Sequence, residues 1–237
     1  MTDRQPALSG SEIRENGNVL YFAMMAAAAI LLLLVFLLPA STVDGHVNPI
    51  YAEDGLIDFL SPLGYMACIL LIVLLGGAAF ALTRALPAVF LLLVLIMREY
   101  DFHTRFTSMS ITKLKFYISG EVPLHEKLPA VIVLCIIAWA VLTLVRRYGR
   151  AFWAKLKKAD PMCLAVAIAV ALIVLSQAID GIGRDFKMIG MPLGVTGKDR
   201  FEALEETLEF GVPIFFLIAT LAYFGMHGNG RASSRET

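Results

Sequence analysis

Glu99 and His103 stand four residues apart in "LLVLIMREYDFHTRF", where an apolar run breaks off into an arginine, two carboxylates and a histidine. On a helix that continues through this stretch, residues i and i+4 share a face, so a carboxylate and an imidazole project together. Such a pair can ligate a divalent metal or act as base and acid. Asp180 in "SQAIDGIGRD" and Glu205, Glu206 and Glu209 in "KDRFEALEETLEFGVP" also stand where apolar runs begin or end. Together Glu99, His103, Asp180, Glu205, Glu206 and Glu209 would make an oxygen-rich set with one nitrogen ligand, suited to zinc, iron or manganese. The spacing differs from the Glu-x-x-His of soluble di-iron bundles, so this expectation rests on convergence and not on a motif. Without metal, Glu99, His103 and Asp180 would be the catalytic acid and base groups, acting on a lipid or lipid-linked substrate reached from the bilayer.

Each residue also has a plain structural explanation. Glu99 can pair with Arg98 or Arg105, His103 can be an interfacial histidine, and Gly181 can end a helix beside Asp180. Asp199 and Glu202 have the spacing of a capping box, which accounts for Glu202. Glu202, Glu205, Glu206 and Glu209 fall within an arc of about 100° of a helix, opposite Phe201, Leu204, Leu208 and Val212. Two carboxylates are less fully covered by these explanations. Glu99 and Asp180 are expected at the C-terminal ends of membrane helices, where the helix dipole opposes a negative charge.

The elements that must position these residues follow from composition. The chain has 237 residues, is 58% hydrophobic and has a mean hydropathy of +0.74, whereas soluble domains carry about 45–50% apolar residues. The expected fold is all-α, a polytopic membrane bundle of about six transmembrane helices with both termini on the same side. Apolar runs place the spans at about 20–40, 62–82, 87–97, 128–145, 162–179 and 211–224. Residues 1–18 then form a polar N-terminal tail, 19–225 the six-helix domain and 226–237 a polar C-terminal tail. The first run is too long for the core of a signal peptide and is kept as a span.

Orientation rests on lysine and arginine. The segment "RRYGRAFWAKLKKADP" after the fourth span is strongly basic, whereas the loop after the first span has neither residue type. The basic loop is therefore expected in the cytoplasm of a bacterium, with both termini there and the acidic face in the periplasm. "RFTSMSITKLKFYISGEVPLHEK" is too polar to cross and suits an interfacial segment. Cys68, Cys135 and Cys163 are scattered in apolar runs and read as small core residues. A net charge of zero gives no argument for nucleic acid, and no phosphate-binding loop or Gly-x-Gly-x-x-Gly pattern is present.

These features fit an accessory or assembly subunit of the inner membrane, in contact with the lipid bilayer and docking a membrane protein partner through its acidic and histidine-bearing face. The alternative is a metal-dependent membrane-embedded enzyme. A transporter is a further alternative, weakened by the scarcity of ionisable groups within the spans.

Overall fold

The computed structural model describes residues 10–38, 50–51, 55–100, 116, 118, 122–188 and 195–232, with the side chains of 10–16, 180–188, 195–199 and 227–232 excepted. Among the described residues the regular structure is entirely α-helical: α1 Gly10–Leu37, α2 Leu56–Gly76, α3 Ala78–Thr83, α4 Leu86–Glu99, α5 Leu124–Leu156, α6 Pro161–Met188 and α7 Val195–Ala232. The chain divides into two compact units. One comprises Met1–Asn48 and Leu156–Thr237, and the other Pro49–Lys155.

The first unit packs α7 against both α6 and α1. Ala159 adopts φ 53° just before α6. Asp160 then caps the helix, its Oδ1 accepting the Cys163 N–H at 3.2 Å, and Pro161 takes the first helical position, where no N–H is needed. On α7, Ala203, Thr207, Gly211, Phe215 and Ala219 recur every fourth residue and are buried. Buried Ala165, Ala169 and Ser176 give α6 a similar run of small side chains. Small residues let helix backbones approach closely, which supplies packing energy where lipid removes the usual hydrophobic driving force. Gly211 marks the tightest point: a Cβ there would lie 2.8 Å from Cδ1 of both Leu172 on α6 and Leu32 on α1.

Helix α1 buries Met25, Ala28 and Leu32, spaced for one helical face. Leu32 lies by Gly211, while Tyr21 donates a hydrogen bond from its hydroxyl to the Leu221 carbonyl at 3.2 Å. Residues later in α1 meet residues earlier in α7, so the two helices run antiparallel. Only 17% of the apolar window of α1 is buried, which leaves most of that helix to lipid.

In the second unit α2 buries Ile57, Ser61, Tyr65, Cys68 and Ile72 along one face and packs against α4. The break after α2 falls at Gly77, whose φ of 85° suits glycine. Its N–H still reaches the Val73 carbonyl at 2.9 Å, and α3 starts directly after it. Pro87 opens α4. Ala130 of α5 forms a buried cluster with Phe116 and Val122.

Five of these helices are long and apolar enough to cross a membrane: 17–37 of α1, all of α2 and α5, 161–179 of α6 and 200–226 of α7. The chain is thus helical and compatible with a multi-pass membrane protein in contact with lipid. The third expected span corresponds to α4, whose 14 residues reach about 21 Å against a hydrocarbon core of about 30 Å. The second differs from expectation too. Pro62 lies inside α2, not at its start, and Gly77 ends the helix where the apolar run in the sequence continues.

Candidate functional site

Glu99 is the last residue of α4, as its place at the end of an apolar run implies. It is half-buried, and its Oε1 has essentially no contact with solvent. The next residue, Tyr100, leaves the helix while its N–H reaches back to the Ile96 carbonyl at 3.3 Å. The turn on which Glu99 and His103 are expected to share a face runs through Asp101 and His103, which lie outside the described residues. Arg98 and Glu99 both engage interaction partners.

Asp180 lies in the other unit, and its position corrects the expectation for Gly181. Helix α6 does not stop there but continues to Met188, so Asp180 sits two turns inside the helix and not at its C-terminal end. Glycine disfavours a helix interior by only about 1 kcal/mol, which a long packed helix readily offsets. The side chain of Asp180 lies outside the described residues. Asp199 is similarly corrected: α7 begins at Val195, so Asp199 is within the helix and does not cap it.

The four glutamates of α7 are described in full. Glu202 is exposed, and Glu205, Glu206 and Glu209 are half-buried. They occupy the side of α7 turned away from the Ala203, Thr207 and Gly211 row by which the helix packs. The Thr207 hydroxyl is absorbed by the Ala203 carbonyl at 2.7 Å and is not available to these carboxylates. Pro213 has no N–H, so the carbonyl of Glu209 loses its helical donor just where the acidic face meets the apolar half of the helix. All four glutamates have interaction partners.

Among the described residues no group of three or more histidine, cysteine, aspartate or glutamate side chains is placed to hold a metal ion. Of the expected ligands, Glu99 belongs to one unit, and Asp180, Glu205, Glu206 and Glu209 to the other. Cys68 and Cys163 are buried as expected of core residues, whereas Cys135 is exposed on α5.

Two arrangements carry no motif in the sequence. Ser61 is fully buried on α2, and its hydroxyl has no hydrogen-bond partner among the described residues. The only signal for it is a serine placed directly before a proline in an apolar run. The other is the basic segment after the fourth span, expected as a loop. It continues α5 as helix to Leu156 and carries exposed Arg146, Arg147, Arg150 and Trp153, with the Arg147 guanidinium 5.4 Å from the Tyr148 ring.

No family model matches the chain, and no curated protein or solved structure shows significant similarity to it.

Proposed function

We propose that the protein is a multi-pass accessory or assembly subunit of a bacterial inner membrane, whose acidic α7 face docks a membrane protein partner bearing lysine or arginine at the bilayer boundary. The observation that carries this reading is the separation of faces on α7. One side is committed to packing through Ala203, Thr207 and Gly211, while Glu202, Glu205, Glu206 and Glu209 occupy the opposite side over about two turns. Opposed charge at such a rim steers association and fixes register.

The same reading takes both termini to the cytoplasm and counts six crossings. Support comes from parity. Because α1 and α7 are antiparallel, an even number of crossings must separate them, and α2, α5 and α6 account for three. The additional crossing falls to the segment containing α3 and α4.

A photoreactive amino acid in place of Glu202 tests the docking. In native membranes it is expected to give one discrete cross-linked adduct, retained when Glu205, Glu206 or Glu209 is singly changed to glutamine and lost when all three are. An absence of any adduct in the otherwise unaltered protein, or an adduct unaffected by the triple change, would count against docking at this face.

The metal-dependent enzyme remains the second reading, and one observation favours it. A half-buried carboxylate at the C-terminal end of a helix, as Glu99 is, opposes the helix dipole and is retained at a cost of about 0.3–1 kcal/mol.

A further inference from the structure

Helix α5 is 33 residues long, or about 50 Å, and so outruns a hydrocarbon core of about 30 Å. Its excess lies at the C-terminal end, where the chain turns basic without leaving the helix. At about 100° per residue, Trp139, Arg146, Arg150 and Trp153 fall within an arc of about 60°, with Leu142 at its edge. All five side chains are exposed, Trp139 to 49% and Trp153 to 60%. Ala130 and Ala140, the buried residues of α5, lie on the other side of the helix, together with half-buried Ile137 and Leu144.

We propose that this stripe binds an anionic phospholipid, its phosphodiester held between Arg146 and Arg150 and its acyl chain lying along Trp139 and Leu142. Three features point to this ligand. Arg146 and Arg150 are one turn apart and repel each other in the absence of an anion, while guanidinium forks match phosphate oxygens. No carboxylate occurs between Glu126 and Asp160, and Asp160 is occupied in capping α6, so α5 offers the arginines no acidic partner beyond Glu126 in its first turn. Trp139 lies about 10 Å along the axis from Arg146, on the apolar side, and Trp153 lies one turn beyond Arg150 on the polar side. An arginine pair bracketed by exposed tryptophans is the arrangement of a headgroup boundary and not of a water-facing surface. A free phosphate ion would use the arginines but leave the apolar half of the stripe idle.

The stripe contains both tryptophans of the chain, so their fluorescence reports on it directly. The full-length protein would be reconstituted in phosphatidylcholine vesicles containing, at equal mole fraction, either brominated phosphatidylglycerol or brominated phosphatidylcholine. The anionic quencher is expected to be favoured by up to about thirtyfold in relative binding, a factor of about five for each arginine. R146Q/R150Q should bring the ratio to about one, K157Q/K158Q should leave it near the parent value, and millimolar inorganic phosphate should not change it. Equal quenching by the two lipids in the parent protein overturns the proposal, whatever the variants do. So does a preference that survives R146Q/R150Q, that is lost equally in K157Q/K158Q, or that phosphate abolishes.

Discussion

The hydroxyl of Tyr21 donates to the carbonyl of Leu221 at 3.2 Å, and its ring end occupies the space that a Cβ at Gly225 would need. This joins the beginning of one apolar helix to the end of another, 200 residues away in sequence. Eleven residues further along α1, Leu32 fills the corresponding space at Gly211. Two glycines of α7 thus receive two large side chains of α1. The antiparallel direction of the helix pair rests on these two points.

Changing Tyr21 to phenylalanine should lower stability by about 0.5–1.5 kcal/mol, the usual net value of one hydrogen bond, because the ring stays in place. Gly225→Ala should cost more than Tyr21→Phe, since its methyl group collides with the phenol and must displace it. In the double variant Tyr21→Ala/Gly225→Ala the space is vacated, so its loss should be smaller than the sum of the losses in Tyr21→Ala and Gly225→Ala alone. Thermal unfolding in detergent, followed by circular dichroism, measures the parent, Tyr21→Phe, Tyr21→Ala, Gly225→Ala and the double variant; strict additivity of Tyr21→Ala and Gly225→Ala would show that the two positions do not meet.

Gly211 makes a more crowded case. A Cβ there would sit 2.8 Å from the Cδ1 atoms of Leu32 and Leu172 at once. Both are ends of flexible side chains, so Gly211→Ala should be accommodated at about 1 kcal/mol, whereas Gly211→Leu, which adds more atoms than rotamer changes can absorb, should cost about 3 kcal/mol or prevent folding. Leu32→Ala should recover part of the loss in Gly211→Ala. No recovery in that pair would place the strain elsewhere on α7.

Sequence revealed the helices better than their ends. Spans one, four, five and six appear because runs such as "AAAAILLLLVFLL" can only be helical in lipid, where every backbone group must be satisfied within the segment. Their limits were misplaced where a local signal was weaker than packing. Gly181 and Asp199 look like a stop and a start, yet α6 and α7 run through them, because each costs about 1 kcal/mol or less and tertiary contact outweighs that. The basic segment after Val145 reads as loop on polarity alone, but its alanine, arginine, lysine and leucine are strong helix formers. The acidic face of α7 was legible from the spacing of its four glutamates. The neighbours of Gly211 were not, because hydropathy reports depth in the membrane and says nothing of which helix stands beside which.

Ser61 offers a test in the opposite direction. A fully buried hydroxyl with no partner among the described residues should cost about 1–3 kcal/mol of desolvation. Ser61→Ala removes that penalty and leaves only a small void, so the variant should be as stable as the parent or up to about 1 kcal/mol more stable. Ser61→Cys keeps a side chain of nearly the same size with a far weaker hydrogen-bonding group and should separate polarity from size. A loss of more than about 1 kcal/mol in both would mean that the hydroxyl makes a contact outside the described residues.

Glu99 separates the docking and enzyme readings. Its carboxylate ends α4, where the last carbonyls already concentrate negative charge. Glu99→Gln removes that repulsion while keeping the shape of the side chain. If the residue only marks the boundary of the membrane, the variant should be as stable as the parent or up to about 1 kcal/mol more stable. A metal ligand behaves differently, because the bound ion stabilises the native state by mass action and its loss lowers the apparent stability. Elemental analysis of the detergent-purified parent and Glu99→Gln proteins distinguishes the two. The docking reading expects no stoichiometric zinc, iron or manganese in either of them and a silent Glu99→Gln. About one equivalent of metal in the parent, lost in Glu99→Gln together with thermal stability, would replace docking with metal-dependent chemistry as the role of this carboxylate.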